Sequence, residues 1–297
     1  MYNDWFMKFA PSAYRETRIK ATRDVESTLA KTANLSDVSS ALLLREPGVL
    51  PTLRMSACPP LAVDRLIGLA GVSRNLVGCM EEGKLPRRMS SASLEGDLEK
   101  IAKIVGRMAD RDIFVWLGRG GRPAGAEIHR AATVVADRLC GAIANPIIRN
   151  AQEKRQLETI AAWLTKRGYK PLPAKISFDA MPPGTFSFRT NVAVKLQGTG
   201  STINIPVDTV IMPKRGKTGE LPLMIEAKSA GDFTNVNKRR KEEAIKMSQL
   251  RFTYGASVRF ILFLCGYFDS GYLGYEAAEG IDWVWEHRIA ELAEFGV

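Results

Sequence analysis

The run "PLMIEAKSAG" at 222–231 sets Glu226 and Lys228 one residue apart at the end of an apolar stretch. In an extended chain residues i and i+2 share a face, so both charges leave a sheet on the same side. Leaving them there buried and unpartnered is costly. A third ionisable group, Asp208, ends "INIPVD" 18 positions earlier, across a turn rich in Lys, Arg and Gly. Antiparallel strands joined by that turn bring Asp208 beside Glu226, where two carboxylates repel unless a cation bridges them. Such oxygen ligands suit Mg²⁺. A lysine beside the cation can orient or help deprotonate a water and offset phosphate charge, which is the equipment of phosphodiester hydrolysis. Glu-x-Lys alone is common by chance and reads equally as an exposed pair on an edge strand. The apolar strand, the preceding Asp and a basic helix that follows give it weight.

The elements that must position these groups lie in the second half of the chain. "AQEKRQLETIAAWLTKRGY" is an amphipathic helix with Leu157, Ile160, Ala161 and Leu164 on one face and Gly168 as its stop. "GTFSFRTNVAVKL", "TINIPVDTVIMP" and "LPLMIEAK" read as strands, followed by the polar helix "TNVNKRRKEEAIKMSQLRFTYG" and the apolar strand "SVRFILFLCGYF". "GYFDSGYLGYE" reads as a glycine-rich loop, and "GIDWVWEHRIAELAEF" as a closing helix in which His287 is structural. Helix, meander, crossover helix, strand, helix is a mixed α/β order on one central sheet flanked by helices. The first half reads as helical, with a further helix from about 126 to 144 and a boundary near 145–150. The expected domains are therefore a mainly helical 1–148, suited to DNA binding or dimerisation, and a catalytic 149–297.

With 297 residues and a net charge of +10, the chain favours a polyanionic partner. Four separated cysteines and two histidines assemble no zinc-ligand spacing, and fit a reduced cytoplasmic protein. The N-terminus has no signal-peptide pattern. The most apolar run, "FILFLC", is far short of the ~20 residues that span a membrane.

Two segments are candidate DNA contacts. Lys238, Arg239, Arg240 and Lys241 crowd a helix start, where acidic residues suit the dipole better; phosphate contact compensates for that mismatch, although most charge runs are solvated faces. Thr234, Asn235 and Asn237 beside them carry side chains able to read base edges. Residues 64–80 have the rhythm of a helix-turn-helix, with Ser73, Arg74 and Asn75 opening its second helix. An ordinary helical hairpin is at least as good a reading of that segment.

"VD" at 207–208 with "EAK" at 226–228 resembles the PD-(D/E)xK nuclease motif, with Val207 where the pattern's Pro usually stands. "WFMKFAPSAYRETRI", "DRLIGLAGVSRNLV", "GTFSFR", "LMIEAKSAGDFTNVNKRRKEEA" and "LCGYFDSGYLGYEAAEGIDWVWEHRI" extend the resemblance, from about Trp5 to Leu292, to the XamI-like family of type II restriction endonucleases. The resemblance implies a PD-(D/E)xK core and Mg²⁺-dependent cutting of a short palindrome, of the GTCGAC kind, in double-stranded DNA by a homodimer. A DNA methyltransferase is then expected as a genomic neighbour. It makes Asp208 and Glu226 metal ligands, helped by the Ala227 carbonyl, and Lys228 the water-positioning residue. A further Glu from the preceding helix is common in the superfamily. Glu153 and Glu158 compete for that place, Glu153 lying on the face that continues toward the sheet and Glu158 about a quarter-turn away. The alternatives are a repair or recombination nuclease with the same core, or a non-enzymatic DNA-binding regulator using 64–80.

Overall fold

In the computed structural model, which describes residues 2–173, 177–198, 200–217, 220–230 and 236–297 and all their side chains except those of 179 and 236–239, the chain forms two compact units. One is Phe9–Ile148; the other joins Met1–Lys8 to Arg149–Val297.

The first unit is helical. Helix α1 (Tyr2–Lys31) leads into it, followed by α2 (Ser40–Arg45), α3 (Leu50–Met55), α4 (Val63–Ala70), α5 (Arg74–Glu81), α6 (Ser91–Met108) and α7 (Trp116–Arg119). Three of its helices, α2, α5 and α6, start at a serine cap. Ser39, Ser73 and Ser90 each accept the N–H of the residue three positions on, meeting a donor that the first turn leaves unpaired. Leu43, Leu50, Leu53, Leu76, Leu98 and Phe114 are fully buried in its core. The helix-turn-helix segment forms as α4 and α5, with Gly71 in the left-handed conformation that ends α4.

Helix α8, Gly125–Lys166, differs from the expected pair of helices, because it runs unbroken through Pro146. Proline costs one intrahelical hydrogen bond, and the helix continues across that single loss. As one 42-residue element, α8 contains an 18-residue window long and apolar enough to cross a membrane on composition, contrary to the expectation drawn from "FILFLC". Within α8, Arg138 pairs with Asp110 at 3.0 Å, and Ala131, Val135, Leu139 and Ala144 are buried in the helical core.

The second unit carries a six-stranded sheet in chain order: β1 (Lys170–Pro171), β2 (Thr185–Lys195), β3 (Thr202–Met212), β4 (Leu223–Ala230), β5 (Arg259–Gly266) and β6 (Asp282–Trp285). The β2–β3–β4 pairings are antiparallel; the β1–β2, β4–β5 and β5–β6 pairings are parallel. Helix α9 (Val236–Tyr254) crosses from β4 to β5, and α10 (Ser270–Ala278) from β5 to β6. Leu157, Ile160 and Leu164 of α8 pack with Ile211, Ile225 and Phe263 on one face; Met247, Leu250 and Tyr272 pack with Val210, Met224 and Leu262 on the other. Gly266 has φ +102, and an added Cβ there would collide with the Ala230 carbonyl, so β5 can end against β4 only without a side chain.

Two C-terminal expectations are corrected. The expected glycine-rich loop contains α10, because Asp269 caps the helix through the Tyr272 N–H and the Tyr272 ring is fully buried. The expected closing helix begins instead as β6, whose residues pair with 261–264 of β5, followed by a 3₁₀ segment, Glu286–Phe295. Trp283, Val284 and Trp285 suit a half-buried pleat, and β5 was the available edge.

Candidate active site

The β3–β4 ladder runs from Ile211↔Leu223 to Thr209↔Ile225 and then stops. The next N–H on β4, that of Ala227, is taken not by a β3 carbonyl but by the Asp208 carboxylate, Oδ2, at 2.8 Å. The β2–β3 register also skips at this point. Arg189, opposite Asp208, drops out of an otherwise unbroken pairing and has φ +51, a left-handed conformation that a non-glycine residue adopts at a cost. Backbone strain and a frayed ladder thus coincide at Asp208.

Alternation along β4 puts Glu226 on the same face as Met224, toward α9, with Lys228 beside it. Glu226 is buried at 7% exposure. Its Oε1 accepts from Lys228 Nζ at 3.1 Å and from Lys246 Nζ at 2.7 Å, while its Oε2 is buried with no hydrogen-bond partner among the described residues. Lys246 reaches in from α9 and also donates to the Pro206 carbonyl at 2.9 Å. Lys228 further forms an ion pair with Glu243 of α9, Nζ to Oε1 at 3.2 Å, with angles outside hydrogen-bond geometry. Gln156 of α8, itself buried, donates to the Lys228 and Phe263 carbonyls at 3.3 Å each, tying the helix to β4 and β5 at the site.

The electrostatics follow from this packing. Burial first, then the charge of Glu226, push the Asp208 carboxyl up to about 6. Burial works to discharge Lys228, but Glu226 and then Glu243 overcome it and hold the ammonium above the ordinary lysine range.

Glu153 lies in a cleft of about 1030 Å³ that Asp208, Arg189, Asn191 and Lys154 also line, and pairs with Arg189 at 2.9 Å. Its charge adds to the upward push on Asp208. Glu158 lines the same cleft but is well exposed and pairs loosely with Lys154 at 3.7 Å. Thr234 and Asn235 lie outside the described residues; Asn237, Lys238 and Arg239 fall in α9, their side chains outside the description. The Arg240 guanidinium stands over the Tyr275 ring at 4.5 Å, and Lys241 is exposed. In the helical unit the Ser73 hydroxyl caps α5, Arg74 pairs with Asp64 at 2.8 Å, and Ser73 and Asn75 line a cleft with Lys84, Arg87 and Arg88.

The family model described as XamI restriction endonuclease matches residues 33–285. The chain belongs to the XamI restriction endonuclease family. It is 52% identical to the type II restriction enzyme SalI of Streptomyces albus G, over all of this chain and 94% of that one. As a member of the XamI family it is a type II site-specific deoxyribonuclease. A solved structure, protein VC1899 from Vibrio cholerae, aligns over 96% of this chain and 57% of its own at 12% identity, with a TM-score of 0.31, too low to bear on the fold.

Sequence reasoning missed Glu243, Lys246 and Gln156 in this XamI-family enzyme. The signal for the first two was present. Residues 243, 247 and 250 are spaced as one helix face, Met247 and Leu250 are buried on it, and Lys246 lies three residues from Glu243. A Glu and a Lys on an apolar stripe must find partners inward.

Proposed function

We propose that Asp208, Glu226 and Lys228 are the catalytic set of this restriction endonuclease, built on a PD-(D/E)xK core. The enzyme cuts both strands of a short palindrome, of the GTCGAC kind, leaving 5′-phosphate and 3′-hydroxyl ends. The observation that carries the reading is the buried Oε2 of Glu226, unpartnered among the described residues, beside an Asp208 carboxyl raised by burial and by Glu226. That imbalance is what a divalent cation relieves. Among the described residues no three His, Cys, Asp or Glu side chains cluster as a metal site by themselves. The fitting donors are Asp208, Glu226 and the Ala227 carbonyl, an all-oxygen set with two carboxylates that suits Mg²⁺. When bound, the ion supplies Lewis acidity toward a phosphate oxygen and makes water more acidic.

The chain's own groups do the rest. Lys246 and Lys228 hold Glu226 in a single orientation. The Lys228 ammonium offers N–H donors to the attacking water and to a phosphate oxygen. Asp208 holds β4 at its middle through the Ala227 N–H. Glu153, anchored by Arg189, faces Asp208's cleft and is the better placed of the two candidate helix carboxylates. Asn237, Lys238, Arg239 and Arg240 of α9, with Thr234 and Asn235 before them in sequence, are the DNA contacts beside the catalytic strand, and Ser73, Arg74 and Asn75 those of 64–80. Residues 1–148 serve DNA binding or dimerisation of a cytoplasmic homodimer, with a DNA methyltransferase encoded nearby.

The test is cleavage of a sequence-diverse plasmid in Mg²⁺, with the ends sequenced, by wild type, Asp208→Ala and Lys228→Ala. Fixed ends from wild type, none from Asp208→Ala, and a strong rate loss in Lys228→Ala are expected. Full activity of Asp208→Ala sinks the assignment.

A further inference from the structure

We propose that Glu243 is a positioning residue for the reaction, holding the Lys228 ammonium in place from α9 and itself locked by the Tyr272 hydroxyl of α10. The inference rests on the reading of Lys228 as catalytic. Glu243 is 1% exposed. A carboxylate so buried persists as an anion only if its oxygens are engaged. Tyr272 OH donates to its Oε2 at 2.9 Å, and its Oε1 faces Lys228 Nζ at 3.2 Å. Tyr272 is fully buried, so its ring cannot swing away without opening the core between α9 and α10.

Behind this pair lies Glu276 of α10, 0% exposed, with neither carboxyl oxygen at good hydrogen-bond geometry to any described group. Burial, and then the charge of Glu243, push its carboxyl up to about 8, so near neutrality it adds bulk and no second negative charge. Glu243 thus faces Lys228 from the α9 side while Glu226 faces it along β4.

The arrangement has a consequence for catalysis. Glu226 Oε1 is shared by two lysines, and a cation arriving at Glu226 competes with both. Glu243 touches none of the three proposed metal donors in the described structure, so its hold on Lys228 survives that arrival. A lysine tethered only to Glu226 would lose its position at the moment it is needed.

The experiment uses the full-length enzyme on duplex DNA carrying its own cut site, with single-turnover cleavage in Mg²⁺, DNA affinity in Ca²⁺ and thermal melting measured together. Glu243→Gln keeps the shape and an acceptor for Tyr272 but removes the charge. It is expected to lower the cleavage rate about 10- to 100-fold, the range that follows from misplacing a reacting group, with affinity and melting near wild type. Tyr272→Phe is expected to lower the rate less, and to add nothing to Glu243→Gln. In a Lys228→Ala background, Glu243→Gln is expected to have no further effect on the residual rate. A wild-type rate in Glu243→Gln, or a loss matched by lost affinity or lost folded protein, overturns the inference. If Glu243→Gln fails to fold, Tyr272→Phe decides by the same rate-against-affinity split. Full activity of Lys228→Ala would instead overturn the catalytic reading beneath it, so the two failures are distinct.

Discussion

Two buried charge clusters sit at the same sheet, and they are built differently. Arg155 of α8 meets Glu286 with two bonds of 2.6 Å, so both carboxylate oxygens are engaged, and Arg155 is further placed by Gln152 and Cys265. Its neighbour Cys265 is correspondingly inert, its thiol pushed up to about 12 by burial and then by Glu286. The cluster around Glu226 is left unbalanced. Glu226 and Glu243 pair with Lys228 and Lys246, Asp208 adds a third carboxylate beside them, and an oxygen of Glu226 has no partner among the described residues. In the first cluster the ion pair engages both carboxylate oxygens and fastens α8 to the end of β6. The second, on the reading proposed above, is completed by a further positive charge.

Paired substitutions break the comparison most sharply. Glu226→Gln is expected to lower cleavage by about 10³-fold or more, on the scale of losing a group that stabilises transition-state charge, with little change in melting. Glu286→Gln is expected to do the reverse, costing about 3–5 kcal/mol of stability by stranding a buried arginine while surviving enzyme still cleaves. Rate assays and denaturant melts of both proteins check this, and a matching pattern in the two would dissolve the distinction.

The same contrast explains what was legible in the sequence. Glu226 and Lys228 could be placed together because strand alternation is local, and Asp208 because one antiparallel turn joins it to them. The strands β2 to β5 were legible for the same reason. Glu243 and Lys246 look like ordinary members of a charged helix until α9 is docked on β4, so their roles depend on packing. Gln156 gives no local signal at all, since its partners are main-chain carbonyls more than seventy and a hundred residues away. β6 and α10 were misread because an edge partner and a buried tyrosine overrode local preference, and α8 because it runs on through Pro146 at the cost of a single hydrogen bond.

Lys246 tests how much of the imbalance the chain itself contains. Replacing it by Met removes one of two cations on Glu226 and leaves its stem's volume. Loss of orientation at Glu226 is expected to slow cleavage about tenfold. A rate equal to wild type would confine the role of Lys246 to the metal-free protein.

Glu276 gives a smaller effect with a defined sign. It faces Glu243 of α9, Glu279 of its own helix and Lys228 of β4. Its carboxyl rises from the ordinary 4.5 to about 8 in the folded protein, so folding favours the protonated form. The stabilisation is complete below the ordinary value, declines as pH rises and is gone above about 8. Glu276→Gln cannot titrate. Wild type is therefore expected to lose more stability than the variant between pH 6 and 9, by on the order of 1 kcal/mol, read from melts at matched ionic strength. Parallel pH profiles would show that Glu276 is charged throughout.

The smallest effect is expected in the helical unit. Arg74 pairs with Asp64 at 2.8 Å, but both side chains are more than 70% exposed, and such a pair contributes about 0–1 kcal/mol. Arg74→Ala is therefore expected to leave melting almost unchanged. That makes it a clean probe of DNA contact, because a fall in affinity cannot be blamed on the fold. If Arg74 meets a phosphate, the variant binds more weakly across all sequences and the salt dependence of binding falls by about one counterion. Unchanged affinity and salt slope would return α4 and α5 to the plainer reading, a capped helical hairpin. An exposed pair differs in this from both buried clusters, since its loss exposes no stranded charge and any functional deficit must come from the partner it met in solution.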